Sequence, residues 1–154
     1  MGELVPETNP LNQSNPGTLI LSSPAERMYH AWNEALSRND AAALTALYAP
    51  DAEIESPLIP HLMGLERPMR GHEEIRAFWE KLSASKPAIR HYYRSGYLTD
   101  GKKLTWEYPR ESPEGDQMDF VEVMELNNDG LIQKYRVYWG WFGFGVLKRN
   151  EYHK

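Results

Sequence analysis

The apolar positions of this chain follow one period in its first half and another in its second. Met28, Trp32, Ala35 and Leu36 recur at i, i+4, i+7 and i+8, the buried stripe of an amphipathic helix. Ser23 is placed to cap that helix, with Pro24 at its first position and Glu26 three residues after the cap. The helix should stop near Arg38-Asn39. Asp40 then caps a second short helix, with Leu44, Leu47 and Tyr48 on its apolar side and Pro50 ending it. Asp51 to Ser56 alternates, Ala52, Ile54 and Ser56 against Glu53 and Glu55, which predicts a short half-buried strand. Residues 57–70 hold Pro57, Pro60 and Pro68 and read as a loop or a broken hairpin. A third helix opens after Gly71, buried along Ile75, Phe78, Trp79 and Leu82.

Beyond Pro87 the period becomes two. Strands are expected at 88–99, 103–111, 117–127 and 131–141. Asp100-Gly101 signals a two-residue hairpin, and residues 112–116 and 127–130 signal looser turns. Helices first and antiparallel strands after them make an α+β fold, with the helices on one face of a curved sheet. Residues 1–23 carry three prolines among Asn, Ser, Thr and Gln and read as a flexible N-terminal arm. Residues 24–154 form one folded domain, as a chain of 154 residues suggests.

Composition narrows the function classes. A formal net charge of −5 argues against a nucleic-acid backbone as partner. The absence of cysteine excludes disulfides, thiolate nucleophiles and Cys-ligated metals. His30, His61, His72, His91 and His153 are dispersed, without the spacing that sets two metal ligands on one helix face. No run reaches the ~20 apolar residues of a membrane span, and the N-terminus lacks a positive region, so a cytoplasmic protein with no membrane partner is expected. The 5 Trp, 9 Tyr and 4 Phe all follow the arm, which leaves core, interface and ligand cavity as their possible uses.

AWNEALSRNDAAALTALYAPDAEIESP and RGHEEIRAFWEKL resemble the opening half of the nuclear-transport-factor-2-like (NTF2-like) superfamily, in its SnoaL-like and ketosteroid-isomerase-like branch. The resemblance covers roughly residues 25–140. It implies a cone-shaped, strongly curved, mostly antiparallel sheet wrapped over three N-terminal helices, an apolar pocket inside, and a homodimer. It does not imply one activity, because this superfold hosts both enzymes and binding modules. In the ketosteroid isomerases the base precedes a proline in the strand after the second helix, which here is Ser56. Their donor tyrosine on the first helix falls at Trp32 or a close neighbour, and their donor carboxylic acid at or near Glu122. A hydroxyl in place of the base and an indole in place of the phenol argue against standard ketosteroid isomerisation.

Parity alone also singles out Glu122, the charged residue in the stripe Met118, Phe120, Glu122, Met124, Leu126. A carboxyl desolvated there could act as general acid or base near neutral pH; the bland alternatives are an Arg partner or a solvated wall. The last strand sets Tyr135, Val137, Trp139 and Trp141 toward the cavity, against Lys134, Arg136 and Tyr138. Trp32, Tyr29, Phe78, Trp79, Phe120, Met124, Tyr135, Val137 and Trp139 are the candidate ligand contacts, with core packing the alternative for each. Ser56 at the position of the family's base, and His61 in the proline-rich loop that by resemblance borders the pocket mouth, join Glu122 as candidate catalytic groups. The apolar tail Phe142–Leu147 is expected to cover the mouth or a partner. The expectation is a domain that holds a small, largely apolar polyketide-, steroid- or terpenoid-like molecule, with a cofactor-free proton transfer as its simplest chemistry. The competing expectation is a non-catalytic binding or assembly module.

Overall fold

The computed structural model describes residues 22–84, 96–111 and 117–140. The N-terminal arm up to residue 21, most of the strand expected at 88–99 (with His91), Trp141 and the apolar tail lie outside the described residues.

The first helix, α1 (Pro24–Ser37), begins where its cap predicts: Ser23 Oγ accepts the Glu26 N–H at 3.1 Å. Its stripe of Met28, Trp32, Ala35 and Leu36 is buried, together with Ala25. Asp40 caps α2 (Ala41–Ala46), its carboxylate accepting the Ala43 N–H at 2.9 Å. Tyr48 departs from expectation. Instead of extending α2 it opens β1 (Tyr48–Glu55), because the Leu47 carbonyl accepts the Ile132 N–H at 2.9 Å and the chain joins the sheet at once. Pro50 thus lies inside a strand rather than ending a helix. It falls where the pairing register shifts, between Tyr48 and Glu53, so its missing N–H breaks no regular ladder.

Residues 57–70 correct a second expectation. They contain a short helix, α3 (Leu58–Met63), and a two-residue strand, β2 (Met69–Arg70). Pro60 is tolerated in the first turn of α3, where its absent N–H has no helical acceptor to serve. Gly64 ends α3 with φ 65, the left-handed conformation that glycine adopts without a Cβ penalty. The helices therefore number four among the described residues, with α4 (Gly71–Ala84) burying Ile75, Phe78, Trp79 and Leu82 as its period predicts.

The strands β3 (Leu98–Thr99), β4 (Lys103–Glu111), β5 (Gln117–Leu126) and β6 (Ile132–Trp139) complete an open six-stranded sheet in the order β2-β1-β6-β5-β4-β3. All its pairings are antiparallel except β1 with β6, which is parallel. The turn between β3 and β4 spans residues 100–102, one longer than expected. Asp100 Oδ1 holds it by accepting the N–H groups of Lys102 and Lys103.

One face of the sheet carries the core. Ile54, Tyr135, Met124 and Leu104 pair in register across four strands, and all four are buried. The adjacent inward row is Trp106, Glu122 and Val137, followed by Phe120 opposite Trp139. α4 packs on β1 and α1 approaches β4, so these rows are roofed by helix faces that carry Trp32 and Trp79. The sequence therefore delivers two aromatic-rich surfaces that meet in the interior.

Candidate functional site

Strand parity places Glu122 among apolar neighbours: Phe120, Glu122 and Met124 are all at most 5% exposed. Trp106 stands opposite it on β4 and donates its Nε1–H to Glu122 Oε2 at 2.6 Å, with both side chains buried. A donor aimed at a buried carboxylate fixes its direction. The same register brings Val137 to the other side of Glu122.

Above this row lies a connected cluster of rings. Trp32 on α1 is its hub, with centroids 5.3 Å from Trp79, 5.1 Å from Tyr135, 6.1 Å from Tyr48 and 6.5 Å from Trp106. Several pairs are edge-to-face, the arrangement the ring quadrupoles favour. Phe78 extends the cluster through Trp79 at 5.2 Å. Tyr29, half-buried, leads outward from Trp106 at 5.8 Å to Tyr97 at 4.6 Å. Phe120 and Trp139 form a separate edge-to-face pair at 5.3 Å.

The polar atoms inside this cluster are unusual. Trp32 Nε1, Trp79 Nε1 and the Tyr48 hydroxyl are buried and have no hydrogen-bond partner among the described residues. Burial pushes the Tyr48 hydroxyl well above the ordinary tyrosine value of 10.0. An interaction with the Trp79 side chain opposes that in part. The negative charge of Glu122 adds to the upward push, so Tyr48 remains a neutral phenol across the physiological range. Tyr48 is held at the sheet by its own backbone as well. His72, in the first turn of α4, sets Nε2 at 2.8 Å from the Tyr48 carbonyl oxygen, which ties β1 to the helix bearing Trp79.

Of the residues singled out in the sequence, Glu122, Trp32, Trp79, Tyr135, Met124 and Phe78 come together in this interior, and Tyr29 and Val137 border it. Ser56 and His61 do not join them. The Ser56 hydroxyl accepts the Leu58 N–H at 3.2 Å and so serves the start of α3, while His61 is exposed on that helix. Ser56 lines a separate open groove of about 250 Å³ with Ile59, Pro60, Leu65 and Arg67. Glu53, on the other side of β1, accepts from Arg70 Nε at 2.9 Å. Two members of the interior were missed. Trp106 had a signal, since it shares parity with Leu104 in the strand 103–111. Tyr48 had none, because its position beside Leu47 suits a helix face equally well. No group of three or more acidic or histidine side chains able to hold a metal occurs among the described residues. No described helix is long and apolar enough to cross a membrane.

Comparison with known proteins agrees with this fold. A curated steroid Delta-isomerase from Nocardioides simplex is 31% identical over 114 residues, which span 69% of this chain and 81% of the isomerase. A SnoaL-like protein of unknown function from Burkholderia thailandensis superposes with a TM-score of 0.63 at 22% identity, covering 76% of this chain and 94% of its own. TerC, co-crystallised with polyporic acid, superposes with a TM-score of 0.61 at 20% identity, covering 81% of this chain and 98% of its own. The SnoaL-like domain family matches residues 25–135, from the first turn of α1 to the inward Tyr135 of β6, and the chain belongs to that family.

Proposed function

We propose that this protein binds a small, largely apolar ring compound in the interior between the helices and the sheet, and that Glu122 transfers a proton on it without a cofactor. The observation that carries this reading is the placement of Glu122: 4% exposed, in an apolar row, and oriented by the Trp106 N–H. A buried carboxylate is costly to keep in an apolar wall unless something uses it. The compounds named with the relatives, a steroid for the isomerase and polyporic acid for TerC, support a polycyclic or quinone-like ligand of polyketide, steroid or terpenoid character. An isomerase, cyclase or dehydratase step fits a single proton-transfer group. Standard ketosteroid isomerisation does not, since the position expected to hold its base is Ser56 and that hydroxyl is engaged with α3.

The test is proton exchange on a bound ketone, which needs no knowledge of the natural substrate. Incubated with β-tetralone in deuterated water, the protein should bind saturably and accelerate deuterium incorporation beside the carbonyl. Glu122→Gln should lower that rate by about 100-fold or more. Saturable binding with no acceleration would favour the second reading, a non-catalytic binding module, for which the observation is that the Ser56 hydroxyl serves the start of α3 and His61 is exposed. No binding of any ring compound would refute both.

A further inference from the structure

The open groove beside α3 is a poor fit for the ring compound proposed above. At about 250 Å³ it is smaller than the ~300–1,000 Å³ usual for small-molecule sites. Its floor is aliphatic, made by Ile59, Pro60, Leu65 and Pro68. Its rim is acidic. Arg67 is neutralised there by Glu74, whose two carboxylate oxygens accept from its guanidinium nitrogens at 2.7 and 3.1 Å. Glu55 and Glu66, by contrast, are exposed and make no ion pair among the described residues. An aliphatic floor under two unpaired carboxylates calls for an occupant that is apolar and then basic.

The chain supplies that order of residues beyond Gly140, where Phe142, Phe144, Val146 and Leu147 are followed by Lys148 and Arg149. Topology brings the start of this segment to the groove. β6 is parallel to β1, with Arg136 opposite Glu55, so both strands run out at the end of the sheet where α3 and Pro68 lie. Gly140 is then roughly 13 Å beyond the level of Glu55, at ~3.3 Å per residue. Residues 141–147 can span up to about 24 Å, enough to turn back to the groove. The N-terminal arm fits on neither count. Its charged side chains are Glu3 and Glu7, and it joins α1 at Pro24, which lies against Gly130, at the opposite end of β6. We propose that the groove seats the chain's own C-terminal segment, with Val146 and Leu147 on the aliphatic floor and Lys148 and Arg149 against Glu55 and Glu66. This seat fastens the outgoing end of β6, the strand that brings Tyr135 and Val137 to the interior, onto α3. It does not depend on what the interior binds.

The absence of cysteine makes a disulfide trap in the full-length chain clean. Val146→Cys keeps a small apolar side chain in the segment, and Pro60→Cys sets an exposed thiol on the groove. Leu98→Cys is the control. Leu98 is 74% exposed and level with Arg136 across Thr105 and Val123, so an unanchored segment would reach it as well. A disulfide needs the two Cα atoms within about 7 Å. Val146→Cys with Pro60→Cys should therefore close within one chain about tenfold faster than Val146→Cys with Leu98→Cys. Non-reducing electrophoresis and peptide mapping read the two rates. Leu65→Cys, on the same floor, is the second groove position and should behave as Pro60→Cys. Adding Glu55→Lys and Glu66→Lys, both at exposed positions, should cut the preference by about threefold or more. Closure rates that agree within about twofold at Pro60 and Leu98 would overturn the proposal. Disulfides formed chiefly between two chains would also overturn it, since they would give the groove to a second copy. A preference that survives both lysines undiminished would overturn the ion-paired seating.

Discussion

Trp106 and Glu122 allow the energetics of the interior to be measured directly. Trp106→Phe deletes the donor that reaches Glu122 Oε2 at 2.6 Å, and Glu122→Met deletes the acceptor while keeping an unbranched chain of similar length. Both side chains are at most 4% exposed, so water cannot replace the lost partner in either single variant. Hydrogen bonds to charged groups contribute about 1.5–3 kcal/mol, and leaving a buried charge unserved costs at least as much. Trp106→Phe also loses indole packing against Trp32 and Tyr29, but that loss appears in both arms of a double-mutant cycle and cancels. Glu122→Met alone should cost less than Trp106→Phe, because it replaces a buried charge with an apolar chain. The expected coupling is therefore about 2 kcal/mol, favourable in the parent. Urea unfolding followed by far-UV circular dichroism measures it, since tryptophan fluorescence would change with the mutation itself. Additivity of the two variants to within about 0.5 kcal/mol would refute the assignment of Trp106 as the group that holds the carboxylate.

Acid sensitivity should concentrate at Glu74, which accepts both Arg67 guanidinium nitrogens and the Arg70 N–H. Those contacts, the Arg67 side chain first, lower its carboxyl from the ordinary 4.5 to about 2. A depressed folded value means the stabilisation is complete above about pH 4.5 and is lost as the pH falls toward about 2. Solvent screening at this exposed site limits it to about 1 kcal/mol. Glu74→Gln should therefore flatten the fall in urea midpoint between neutral and acid pH, and an identical fall in parent and variant would dismiss the contact. On the outer face of the sheet, Tyr138 is 52% exposed and lies opposite Val121 in the β5–β6 register, an apolar spot that suits the homodimer implied by the family. Sedimentation should give twice the monomer mass for the parent and a shift toward monomer for Tyr138→Glu; a monomeric parent would rule the dimer out.

Much of this architecture was legible residue by residue. The caps at Ser23 and Asp40, the buried stripes of α1 and α4 and the inward parity of β5 and β6 all follow from local chemistry and period. They depend on backbone geometry within one element, so the neighbouring sequence contains the whole cause. The segment 57–70 was not legible in this way. Its prolines suggested a broken loop, yet one of them fits the first turn of a helix, a distinction set by where that helix begins.

The sequence by itself determined that Glu122 would interrupt an apolar wall and that Trp32 and Trp79 would face a core. Only the tertiary structure decided what those groups meet. Trp106 reaches Glu122 through β-ladder register, and nothing local sets which residue of β4 lies opposite which residue of β5. Tyr48 became part of the interior because a distant N–H, that of Ile132, captured the Leu47 carbonyl and drew the chain from helix into sheet. Conversely, the Ser56 hydroxyl turns to the helix that follows it and accepts the Leu58 N–H. Periodicity assigns faces, because it is a property of one element. The interior is a property of several elements meeting, and its buried rings converge only once the helices are laid across the sheet.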